Sequence, residues 1–182
     1  ADARHSRINA HVVAELGADS ALIAIDRVFL HERTGAAALK SLATAGRRVA
    51  DLARVFAVMD HIVDTRAGRG DATTMAGGSA FITETRAAAL TAGITLFDVT
   101  DSDQGCTQGA FGAFAWGIGS SEAEHAMATG TLRMARPRTM RVCFDNALRP
   151  GVTAKDMALT LIARHGSAGG QGFVVEFAGA AV

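Results

Sequence analysis

The chain has 182 residues, of which 49% are hydrophobic and 20% charged, with 20 glycines and two prolines; this balance excludes disorder and collagen-like repeats and predicts one ordinary soluble domain. At that length roughly 70% of the surface of the unfolded chain is buried on folding, so a core forms without disulfide or zinc staples. Lysine plus arginine and aspartate plus glutamate number 18 each, which leaves no global field to attract nucleic acid or an anionic membrane. Cys106 and Cys143 are far apart and form no ligand pair, and the N-terminal residues lack the basic-then-apolar pattern of a signal peptide, so the expected compartment is the cytoplasm. The longest apolar stretch, Gly109 to Gly119, is about half the length of a membrane span, so no membrane partner is expected.

In chain order, Ala21 to Phe29 reads as one apolar strand interrupted only by Asp26 and Arg27. Thr34 is placed to cap a helix over Ala36 to Ala45, and Gly46 to stop it. A short buried strand, Val55 to Met59, ends at Asp60 and His61. The polar stretch from Asp64 to Ser79 has no sustained apolar period and reads as a long surface loop. A helix over Phe81 to Ala92 with Gly93 as its stop precedes a strand over Ile94 to Val99 and a turn at Thr100 to Asp103. Ser121 and Glu124 have capping-box spacing for a helix running to about Leu132. A strand over Thr139 to Phe144, a helix from Thr153 to about His165 and a strand over Phe173 to Phe177 complete the chain. This alternation predicts a three-layer α/β/α domain with a largely parallel sheet, occupying residues 1–182 as a single domain, with its ligand site beyond the carboxyl ends of the strands.

Asp60 and His61 close a strand where side chains open into such a crevice, and an imidazole there exchanges a proton near neutral pH. A capping aspartate and a surface histidine would leave the same dipeptide. His31, Glu32 and Thr34 end the first strand and would share that edge if the two strands are parallel neighbours; a polar helix-entry turn is the plainer reading. A zinc-protease helix is excluded, because HExxH would require histidine where Gly35 stands. Glu176 interrupts Phe173, Val174, Val175 and Phe177, and a carboxylate in an apolar strand must be paired, protonated or turned toward a polar cavity unless the strand is an edge facing water. Glu122, Glu124 and His125 read as ordinary helix-surface groups. Gly117 and Gly119 complete neither GxGxxG nor a P-loop, and two cysteines cannot by themselves hold an iron–sulfur cluster, so no metal ligand is assigned.

The segments IDRVFLHERTG, FAVMDHIVDT, LFDVTDSDQG, CTQGAFGAFAWGIGSSEAEHAMATGTL, RPGVTAKDMAL and GGQGFVVEFAGAAV, in this order, resemble the large subunit of isopropylmalate isomerase, in the aconitase superfamily. The resemblance covers the chain from about His11 to Val182 and implies an aconitase-like first domain. It also implies a hydro-lyase that removes water from a small hydroxy di- or tricarboxylate and returns it at the neighbouring carbon with the help of a [4Fe-4S] cluster. The proton removed is weakly acidic and hydroxide leaves poorly, so a base, an acid and a Lewis acid are all required. By resemblance, Asp60 and His61 match the pair that helps protonate the departing hydroxyl, His31 the substrate-facing position, and Glu176 the glutamate supporting an active-site histidine.

Two departures qualify the match. In the family, the segment resembling LFDVTDSDQG continues through a strand, a turn and an Asp-Ser-His-Thr run before anything like CTQGAFG, whereas Gly105 here runs directly into Cys106. Roughly two dozen residues of the pattern are absent, two histidines and an aspartate of the site among them. Val182 falls where the family's first domain gives way to the domain with the cluster cysteines, so those ligands are expected outside this chain. The implied partners are the remainder of the large subunit and a small subunit that supplies the base; alone, the chain is expected to be inactive. A maleate or citraconate hydratase of the same superfamily stays open, since Gln108 stands where many isopropylmalate enzymes carry histidine, as does a non-catalytic scaffold or assembly module.

Overall fold

The computed structural model describes residues 8–64, 66–68, 70–99, 101 and 113–182. Of the turn expected at Thr100 to Asp103 only Asp101 is described; its other residues, the Gly105–Cys106 junction and Gln108 lie outside the described residues. The chain divides into two compact units: Ala1–Ala14 with Leu22–Arg133, and Glu15–Ala21 with Met134–Val182. No described helix is long and apolar enough to cross a membrane.

The elements follow in the order β1 (Val12–Glu15), β2 (Ser20–Ala24), β3 (Val28–His31), α1 (Gly35–Thr44), β4 (Val55–Val58), α2 (Gly78–Ala92), β5 (Thr95–Phe97), α3 (Ser120–Thr129), β6 (Thr131–Ala135), β7 (Arg138–Cys143), α4 (Ala154–His165) and β8 (Phe173–Ala178). The mixed α/β fold with parallel pairing expected from the alternation is what the structure shows. Strands β3, β4 and β5 form a sheet in that order, both pairs parallel.

Alternation along β3 and β4 sends Val28, Leu30, Val55 and Ala57 into the core of the first unit, where they meet Ala38, Leu39 and Leu42 of α1. Phe29, Phe56 and Phe97 stack across the sheet with centroid spacings of 5.4 and 5.9 Å. Helix α1 also packs on α2 and α3. On α2 the buried positions Gly78, Ile82, Thr85 and Ala89 recur at helical spacing and form one inward stripe.

Several element boundaries differ from those predicted. The run from Ala21 to Phe29 is two strands, β2 and β3, in different sheets, because Asp26 and Arg27 break the pairing between them. The helix expected to reach Leu132 stops at Thr129: Gly130, at φ 66°, takes the left-handed conformation that side-chain-bearing residues avoid, and Thr131 and Leu132 then start β6. The cap of α3 is Gly119 rather than Ser121. The Glu122 carboxylate accepts the Gly119 N–H at 3.0 Å, while Glu124 instead accepts from Ser41 Oγ at 2.6 Å and Arg47 at 3.1 Å. Thr34 occupies the cap position of α1 without a side-chain cap bond.

In the second unit β7 and β8 pair in parallel from Arg138 opposite Phe173 to Cys143 opposite Ala178, with α4 between them in sequence. Helix α4 starts as expected at Thr153, whose N–H and hydroxyl both donate to the Asp156 carboxylate at 2.7 and 2.8 Å.

Candidate active site

Parallel pairing of β3 with β4 places His31 opposite Val58, so both strands release their chains on the same sheet edge. Glu32 follows β3 at once and is fully buried. Its carboxylate accepts backbone N–H groups from three consecutive residues beyond β4: Asp60 at 3.3 Å, His61 at 2.6 Å and Ile62 at 2.5 Å. Charge-assisted bonds of this kind satisfy an anion that burial would otherwise make costly. The Glu32 carbonyl in turn accepts from Thr85 Oγ1 of α2 at 3.0 Å, and Thr85 is itself buried.

The histidines of the two strand ends meet face to face. The His31 and His61 rings lie 4.0 Å apart between centroids and 9° from parallel. His61 Nδ1 is 3.3 Å from Asp60 Oδ1, and His31 Nε2 shares a longer contact of 3.4 Å with Thr34 Oγ1. His31 Nδ1 is buried and has no hydrogen-bond partner among the described residues. Desolvation, and then the neighbouring His61, hold the His31 imidazole below its ordinary pKa of 6.5, outweighing the opposite pull of Glu32 and Asp60. The exposed His61 ring and the half-buried Asp60 carboxylate lie beside it. A carboxylate orienting an exposed imidazole is suited to delivering or receiving a proton.

His31, Glu32 and His61 each bring a potential ligand atom within 4.8 Å of the others. The Glu32 oxygens are occupied by three N–H groups, and two parallel rings cannot both hold one ion in their planes, so this arrangement is a hydrogen-bonded stack rather than a coordination sphere. An iron–sulfur cluster does not fit this chain either. It takes several thiolates, whereas the chain has two cysteines, of which Cys143 is an exposed residue of β7 and Cys106 lies outside the described residues.

The structure thus brings three of the predicted site residues, His31, Asp60 and His61, into one cluster. The fourth, Glu176, lies in the second unit on β8, half-buried, with Arg141 of β7 as its register partner. A hollow of about 510 Å³ in that unit is lined by Met140, Val142, Ile162, His165 and Val175, among others, and by none of the four. The sequence sets Glu32 beside His31 at the shared strand edge but gives it no role, because its partners are 28 to 30 residues away. A charge placed directly after an apolar strand is the only local sign of it. Arg86 of α2 is similarly hidden. It donates to both Asp71 oxygens and both Asp98 oxygens at 2.6 to 2.7 Å, clamping the stretch before α2 to the end of β5.

A family model described as the aconitase family (aconitate hydratase) matches residues 90–182, half of the chain. The chain belongs to the aconitase family. Among relatives, the 3-isopropylmalate dehydratase large subunit 1 of Bradyrhizobium diazoefficiens is 38% identical over 197 aligned positions, which cover 94% of this chain and 41% of that protein. This aconitase-family chain therefore spans about two fifths of the length of the relative it matches. Since 94% of the chain is about 171 residues, about 26 aligned positions carry no residue here. That number agrees in size with the stretch expected, from the family pattern, between Gly105 and Cys106.

Proposed function

We propose that this chain is part of a hydro-lyase of the 3-isopropylmalate dehydratase type, acting in the cytoplasm on a small hydroxy di- or tricarboxylate. The observation that carries the reading is the convergence of His31, Asp60 and His61 where β3 and β4 end side by side. In this reading His61, oriented by Asp60, delivers the proton to the departing hydroxyl, and His31 faces the substrate. Glu176 supports a histidine of the site, a role carried by the family resemblance alone. The [4Fe-4S] cluster and its cysteine ligands belong to polypeptide other than this chain, as does the base, which a small subunit supplies. Residues 1–182, including both compact units, form one aconitase-like domain of that assembly.

The test is hydratase turnover in the complete enzyme over a panel including 3-isopropylmalate, citraconate and maleate precursors. His61→Ala is expected to lower kcat by about 10²- to 10⁴-fold on the preferred acid. An unchanged kcat removes His61 from the mechanism, and the panel separates the isopropylmalate enzyme from its smaller-acid relatives.

The 26 or so unmatched positions favour one other reading, a non-catalytic scaffold derived from the enzyme. Persistent lack of both cluster and activity after adding the partner polypeptides, iron and sulfide would decide for it.

A further inference from the structure

Between β4 and α2 the chain has no helix or strand among the described residues, yet its first residues are held in place one by one. The Met59 N–H donates to the Phe97 carbonyl at 3.1 Å and the Asp64 N–H to the Ala72 carbonyl at 2.7 Å. The three N–H groups at 60, 61 and 62 converge on a single side chain, Glu32. Converging backbone N–H groups of this kind make an anion-binding concavity, and here an internal carboxylate fills it. The direction in which residue 61 projects follows from that turn, and the ring it carries lies flat on His31, the residue directly before Glu32. One strand end therefore supplies both the face against which His61 rests and the anchor that aims it.

We propose that Glu32 is the positioning residue for His61: its buried carboxylate fixes the Asp60–Ile62 turn and so lays the His61 imidazole against His31. The catalytic meaning of this role rests on the hydro-lyase reading, but the geometry does not. The anchor is in turn seated by the Thr85 hydroxyl on the Glu32 carbonyl, so α2 contributes to the aim of His61 without touching it. Replacing the carboxylate with a carboxamide keeps the shape but leaves one acceptor oxygen and sets an NH2 group against backbone donors. A buried group that loses its partners is expensive, and the turn is the part free to move.

The test has two arms. In the chain itself, the six histidines are followed by NMR through a pH titration of their ring protons. Four groups act on His31: His61, Glu32, Asp60 and Arg33. In Glu32→Gln the stacked-ring upfield shifts of His31 and His61 are expected to vanish, and the His31 midpoint to rise toward 6.5 as desolvation and the neighbouring ring are lost. If the stack held without Glu32, loss of its negative charge would instead lower the midpoint with the ring shifts unchanged, and that result overturns the proposal. In the complete enzyme, Glu32→Gln is expected to lower kcat by about 10- to 100-fold, as for other residues that orient a working group, with KM within roughly threefold. Glu32→Asp, which keeps the charge at shorter reach, restores part of both signals. Failure of both variants to fold by circular dichroism makes Glu32 a folding residue only and also overturns the proposal. Changed ring shifts in a protein without hydratase activity would leave the positioning role standing and remove the hydro-lyase reading; activity with unchanged ring shifts would do the reverse.

Discussion

His31 carries an imidazole whose protonation the fold opposes, and that has a consequence for stability. Its folded pKa lies below the 6.5 of the free side chain, so the unfolded chain binds the proton more readily than the folded one. The stability linked to His31 is therefore complete above pH 6.5 and is lost as pH falls through the folded value. Chemical denaturation between pH 7 and 5 should show this decline, and His31→Asn should flatten it; an equal slope in the variant would mean that other groups govern the decline. At this scale the sequence was partly legible. Asp60 and His61 stand out because an apolar run ends on two titratable groups. Glu32 does not, because a carboxylate entering a helix is commonplace, and only the pairing of β3 with β4 brings three amides to it.

Among the elements, α2 is tied to the sheet edge by Arg86 as well as by its apolar stripe. The Arg86 guanidinium holds the Asp98 carboxyl, and likewise Asp71, below the ordinary 3.8, chiefly through direct hydrogen bonds. Both carboxylates contribute stability that is full above pH 3.8 and fades as pH falls through their folded values. Arg86→Met should cost about 1 to 2 kcal/mol, because Asp71 is half exposed and solvent screens its share, with Asp98 rather than Asp71 responsible for most of the loss. Denaturant midpoints of R86M and of Asp71→Asn measure this; an R86M loss no larger than that of D71N would show that Asp98 contributes little. Helices α1, α2 and α4 and strands β4, β5, β7 and β8 were readable within a few residues, since apolar period and glycine stops are local signals. The division of Ala21–Phe29 into β2 and β3 was not, because Asp26 and Arg27 fit equally well as two polar positions within one strand, and sheet membership decides that they separate two.

For the molecule as a whole, the two cysteines bound what this chain can do alone. Incubated with iron and sulfide, the isolated chain is expected to show no [4Fe-4S] absorption or paramagnetic signal, since several thiolates are needed and only Cys106 and Cys143 are present. A stoichiometric cluster on the isolated chain would contradict the assignment of its ligands to other polypeptide. Composition, the alternation of strand and helix, and the ordered motifs sufficed for the α/β class and the aconitase family, because these are carried by neighbouring residues and survive without contact between distant ones. The folded chain alone decided that His31 and His61 stack, that Glu32 grips the turn between them, and that Arg86 joins α2 to β5. Each of those is a short-range interaction between groups separated along the chain, and its distance is set by sheet register and helix packing rather than by spacing in sequence.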